Sequence, residues 1–214
     1  MKKLKIFILL ITYFIALFLL GLAYSEEKPS GSNYYPLKKG DKWTYTVSRV
    51  DGKGKKFIQE VTVPGYDKYK KKQYIILQQK DKRGKVRSFC TKDNTGIYWK
   101  KIGASKKLTP EVSSVFTPPI PILRFPLEAG NQWNWKGNLK IAFINKKIDM
   151  KCRVLAEEEI TVPAGKFKCL KIHIHQLRNK EVSDEYAWYA PGIGQIKYIG
   201  KELQKELISY SVSK

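Results

Sequence analysis

"PLKKGDKWTY" (residues 36–45) and "PLEAGNQWNW" (residues 126–135) are one phrase written twice, ninety residues apart. Both read Pro-Leu-x-x-Gly-x-x-Trp-x-aromatic. Pro and Gly bracket a sharp turn. Trp-x-Tyr or Trp-x-Trp then puts two rings on one face of an extended strand, because side chains alternate with period two. The phrase predicts the same lead-in to a half-buried strand at two places in one sheet.

The pattern continues outward. Residues 42–50 alternate Trp43, Tyr45 and Val47 with Lys42, Thr44 and Thr46. Aromatic and β-branched residues at period two define a half-buried strand. Asp51-Gly52 is a hairpin turn signal. Further strands are expected over 57–63, 74–79, 86–91, 97–102, 132–136, 139–145, 149–156, 167–175, 186–189, 195–199 and 203–210. Val162-Pro163-Ala164-Gly165 reads as a tight turn with Gly165 in the left-handed position. Helix signals are nearly absent: Thr109-Pro110-Glu111 suits one short turn. "TPPIPILRFP" (117–126) carries four prolines and is expected to be extended or irregular. The fold class is mainly β: a single strongly curved antiparallel sheet, a half-barrel or open barrel, with little helix.

Shorter echoes accompany the phrase. "VTVPG" (61–65) answers "ITVPAG" (160–165), and "GIYWKKIG" (96–103) answers "EYAWYAPGIG" (185–194). Two readings are open: two similar halves, about 34–116 and 124–214, or a large sheet that reuses one way into a strand.

The chain opens Met-Lys-Lys-Leu-Lys, and residues 6–24 are almost wholly apolar. A basic start before an apolar run is a secretory signal. Ala23 and Ser25 suit cleavage after Ser25, giving a signal peptide over 1–25. The alternative is an uncleaved anchor, since the run is close to the ~20 residues that span a bilayer. Either way the rest of the chain is expected to be exported, periplasmic or extracellular. No Cys follows the apolar run, which speaks against a lipoprotein. Residues 26–33 read as a polar tether, and residues 34–214 as one domain.

Lys and Arg number 41 against 19 acids, a net charge of +22, which falls to +19 when Lys2, Lys3 and Lys5 leave with the signal. Such a balance favours anionic surfaces. Lys dominates over Arg, which suits diffuse attraction better than forked phosphate recognition. Lys68, Lys70, Lys71 and Lys72 form the densest run and are a candidate patch for an anionic polymer or lipid surface. Lysines at hairpin tips also keep sheet edges apart, and this plain reading competes. Nucleic acid is disfavoured for an exported chain. Three cysteines, Cys90, Cys152 and Cys169, permit at most one internal bridge.

Four stretches in order, "YYPLKKGDKWTY", "FPLEAGNQW", "ITVPAGKFKCLKI" and "WYAPGIGQIKY", resemble the TapB-like group of exported bacterial proteins, which is of unknown function. The resemblance spans most of residues 34–199. It implies a strongly curved antiparallel sheet, distantly like the half-barrels that carry lipoproteins across the periplasm. It brings no catalytic residues with it.

Signals of chemistry are sparse. His173 and His175 are the only histidines and share one side of a strand, with Cα atoms about 6.6 Å apart. Two ligands of one metal can sit so, with a third from a neighbouring strand. The plain reading makes them the wet side of a strand whose other side, Leu170, Ile172 and Ile174, is core, and no metal or cofactor is called. Gly-x-Ser-x-Gly, Ser-x-x-Lys and His-Glu-x-x-His are all missing. The expected function is a non-catalytic envelope protein that binds or carries an apolar or amphipathic envelope molecule, with Trp43, Tyr45, Trp133 and Trp135 as candidate ligand-binding residues. Two alternatives stand beside it: a structural or assembly partner acting through its basic surface, and an enzyme using His173 and His175.

Overall fold

The computed structural model describes residues 31–106, 109–178 and 180–213. The signal or anchor expected over 1–25, and the first part of the expected tether, lie outside the described residues. Twelve strands follow one another: β1 (Lys42–Arg49), β2 (Phe57–Tyr69), β3 (Lys72–Asp81), β4 (Gly84–Asp93), β5 (Gly96–Ser105), β6 (Val112–Arg124), β7 (Gln132–Ile141), β8 (Ile144–Val162), β9 (Gly165–Arg178), β10 (Glu181–Ala190), β11 (Gly194–Ile199) and β12 (Leu203–Ser211). Each pairs antiparallel with the next, and β12 pairs with β1. The expected single curved antiparallel sheet is therefore present, and its curvature carries through to closure. Closure leaves no free sheet edge.

The wall is apolar inside and charged outside. On β8, Ile148, Met150, Cys152 and Val154 are buried while Lys147, Lys151 and Arg153 are exposed. A membrane-spanning barrel has the inverse arrangement.

The twin phrase builds the same structure twice. Gly40 N–H donates to Val63 O at 2.9 Å, and Gly130 N–H donates to Val154 O at 2.8 Å. Asp41 N–H bonds Lys38 O, Asn131 N–H bonds Glu128 O, and each turn ends with a bond back from the same valine. Gly40 and Gly130 have φ of 96° and 90°, a left-handed conformation that only glycine adopts without strain. These turns launch β1 and β7, six strands apart. The shorter echoes are not equivalent: Pro64-Gly65 lies inside β2, whereas Pro163-Ala164 is the β8–β9 turn.

In an up-and-down barrel, alternate turns collect at the two ends. One end is capped. Tyr34, Tyr35 and Leu37 are at most 6% exposed there, beside buried Leu127 and Val162. Gly31–Tyr34 form a 3-10 turn, and Gly192 N–H donates to Asn33 O at 2.8 Å, so this stretch is docked where the sequence reads as tether. The tip of the β8–β9 hairpin folds in, with Ala164 N–H donating to Leu207 O at 3.0 Å. Asp41, fully buried, accepts from Lys38 N–H at 2.7 Å and from Ser213 N–H at 2.8 Å, tying both ends of the domain together.

Two expectations change, and the one for the proline-rich stretch is met. The two strands expected over 132–136 and 139–145 are one strand, β7, which turns at Ala142–Phe143; Gly137 does not interrupt it but leaves room for the Trp135 ring, which a Cβ would meet at 2.5 Å. The prolines of 117–126 are mostly inside β6, where the ladder to β5 shifts register around Pro118 and Pro119. Among the described residues near Thr109 there is a turn, with Thr109 N–H donating to Lys106 O, and no helix.

Candidate functional site

The other end of the barrel is open. Opposed residues in a ladder share a face. The inner face therefore runs from Trp43 through its successive partners Val61, Gln79, Val86, Ala104 and Val112. Trp43 and Val61 are core, whereas Ala104 and Val112 are exposed. The inner wall thus passes from packed interior to open mouth within one row. A cleft of about 810 Å³ lies there, walled by Val86, Ala104 and Val112, floored by Gln59 and Gln79, and rimmed by Arg83, Lys85 and Lys106.

The polar groups at its floor are braced. Asp81 accepts from Arg83 Nη2 at 2.6 Å and from Gln59 Nε2 at 3.2 Å. Burial pushes the Asp81 carboxyl up, but the Arg83 and Gln59 hydrogen bonds outweigh it and hold it below the usual range. Gln59, only 7% exposed, is thereby fixed with its amide spent on Asp81.

A second polar group faces inward nearby. Lys205 pairs with Val47 on one side and Tyr198 on the other, so it lies on the inner face. Its Nζ sits 4.5 Å from the centre of the Tyr45 ring and 6.0 Å from that of Tyr198. Among the described residues it makes no ion pair, and burial pushes its ammonium down to about 8. Tyr198 in turn donates its hydroxyl to the Glu185 carboxylate. A part-buried cation held over rings is a natural counter-charge for an anionic group inside the barrel.

The candidate residues from the sequence fall in different places. Trp43 and Tyr45 are 0% and 1% exposed. Trp43 Nε1 donates to Ile193 O at 2.7 Å and the Tyr45 hydroxyl to Gln195 O at 2.8 Å. β11 pairs with β12 only over residues 197–199, so these rings satisfy carbonyls that the ladder leaves free. Trp133 and Trp135 are also inner and buried, at 8% and 6%, but their indole N–H groups have no acceptor among the described residues. None of the four lines the cleft.

Lys70 and Lys71 form the β2–β3 turn at the capped end, with φ of 49° and 63°. Lys70 and Lys72 lie over the rings of Tyr69 and Tyr74. Those rings, with Ile76 and Phe89, make a small apolar cluster. The expected run of lysines, Lys68 included, is therefore at the end away from the cleft.

His173 and His175 lie on the outer wall. Both donate to one oxygen of Asp184 on β10, His173 through Nε2 at 2.7 Å and His175 through Nδ1 at 2.9 Å. Those bonds, that from His175 foremost, hold Asp184 below the usual carboxylate range. Among the described residues no group of three His, Cys, Asp or Glu has a metal-holding arrangement. Cys90, Cys152 and Cys169 are all free and buried, and burial pushes each thiol up to about 12.

The cleft residues escaped the sequence reading. Ala104, Gln79 and Val112 are ordinary strand residues, and only closure of the barrel makes them a wall.

The site and fold together define a closed twelve-stranded antiparallel barrel, capped at one end and cleft at the other. A family described as DUF3108-like matches residues 129–212. No curated protein matches the chain. A provisionally assigned lipoprotein from Parabacteroides distasonis is 14% identical, covering 86% of this chain and 100% of its own, with a TM-score of 0.50. A provisionally assigned exported protein with a YmcC-like fold from Bacteroides fragilis is 17% identical, covering 83% and 98%, with a TM-score of 0.48. The Parabacteroides protein shares the fold.

Proposed function

We infer that this is an exported, non-catalytic envelope protein that holds an apolar or amphipathic molecule in the mouth of its barrel. One observation carries the reading: an apolar-walled cleft of about 810 Å³ under a basic rim of Arg83, Lys85 and Lys106. Ligand sites commonly have volumes of ~300–1,000 Å³ and a few fixed polar groups on an apolar wall. The braced Asp81 and Gln59 at its floor are such groups. The signal-like start of the chain, the TapB-like motifs and the lipoprotein description of the similar Parabacteroides structure support an envelope location.

A second reading has its own observation. The capped half is filled by Trp43, Tyr45, Trp133 and Trp135, and a filled barrel suits a structural partner acting through its basic surface. Binding of anilinonaphthalene sulfonate, an amphipathic anionic fluorophore, separates the two. Ala104→Trp places an indole in the cleft. It is expected to weaken binding ~10-fold or more, because apolar contact area in the site is lost. Equal binding by wild type and Ala104→Trp contradicts the cleft as the site and favours the structural reading.

A further inference from the structure

The β7–β8 turn projects from the mouth end. Its tip is Phe143, which is 93% exposed, and Ile144 beside it is 50% exposed. Ala142 holds the tip with φ of 50°. A phenylalanine almost wholly in water, at the tip of a hairpin flanked by lysines, has no packing role among the described residues. Around it stand Lys140 and Lys147, exposed on the same two strands, and Lys146, part-buried. Lys82 and Lys106 project from neighbouring turns of the same end, and Val112 there is 55% exposed. The capped end buries its comparable residues, Leu37 and Leu127, each at 3%.

We propose that the mouth end docks on an anionic lipid bilayer, with Phe143 and Ile144 entering the headgroup region and the surrounding lysines meeting the lipid phosphates. Aromatic tips with basic flanks match the two layers of such a surface, apolar beneath and negative above. The net charge of +22 makes the attraction general, and Phe143 makes it local to one end. Docking in this orientation turns the cleft toward the membrane. The proposal concerns the surface and not the cleft, so it stands or falls apart from ligand binding.

The full chain is expressed in an exporting host and the protein used as that host releases it. Co-flotation with phosphatidylglycerol vesicles is expected, with little on phosphatidylcholine and loss at high salt. Phe143→Asp is expected to weaken it ~10-fold or more, whereas Lys71→Glu at the capped end changes it less than ~3-fold. Phe143→Cys carrying an environment-sensitive label is expected to brighten on phosphatidylglycerol vesicles. The native cysteines are buried, so the label goes to the tip. A label that stays dim on bound vesicles, or binding indifferent to Phe143→Asp, overturns the proposal. Label brightening without lipid, alongside a dimer mass in light scattering, also overturns it and makes a second copy of the chain the occupant.

Discussion

Trp43 Nε1 donates a 2.7 Å hydrogen bond to the main-chain carbonyl of Ile193, 150 residues further along the chain. The bond crosses the seam where β11 and β12 part, and Trp133, at the matching place in the second phrase, has no such acceptor.

The two tryptophans should therefore respond differently to loss of the indole N–H. Trp43→Phe leaves the Ile193 carbonyl without its partner and adds a small void, costing about 2–4 kcal/mol. Trp133→Phe leaves a similar void but removes a buried N–H that has no acceptor among the described residues, so it should cost about 1–2 kcal/mol less. Denaturant melts of both variants check the difference, and equal destabilisation contradicts it.

The thiols provide a second test. With all three near 12, the thiolate fraction at pH 8 is about one in ten thousand, and burial blocks access besides. Native protein at pH 8 should take up no iodoacetamide over an hour, and unfolded protein should take up three equivalents without reductant. An uptake of one after unfolding would reveal a bridge.

Lys205 should make stability depend on pH in a defined window. Its folded value is about 8 against 10.5 for an ordinary lysine. Below about pH 8 both states are protonated, and the folded chain bears the full cost of a buried charge. Between those values the unfolded chain binds more protons, so stability rises with pH. Lys205→Met should be more stable than wild type at pH 7 by about 1–3 kcal/mol, and the gap should close toward pH 10.5. A gap constant with pH would place the ammonium in water.

The strands were legible because alternation is local. Trp43, Tyr45 and Val47 announce β1, and the prediction of a left-handed Gly165 after Pro163-Ala164 matches its φ of 134°. The β7–β8 turn was not legible, since Ala142-Phe143 carries none of the usual turn residues and Gly137 reads as a break. Closure was beyond local reading altogether, as it rests on β1 meeting β12. The candidate site depends on closure. The tryptophans were correctly read as sharing a face, but whether that face is core or pocket is decided by what packs on it, and Trp43 is covered by the Tyr35 ring and the carbonyl of Ile193.

The basic character was legible as a sum but not as a map. Lys68, Lys70, Lys71 and Lys72 are dense in sequence and sit at the capped end. The rim of Arg83, Lys85 and Lys106 is assembled from separate turns and shows only in the fold.

Native mass spectrometry of the exported protein, purified without detergent, tests the central claim most directly. The barrel-mouth account predicts an adduct that is lost on organic extraction, returns on exposure to envelope lipid extract, and is missing from Ala104→Trp. A bare polypeptide mass before and after that exposure would contradict it, and would leave a filled barrel acting through its surface alone.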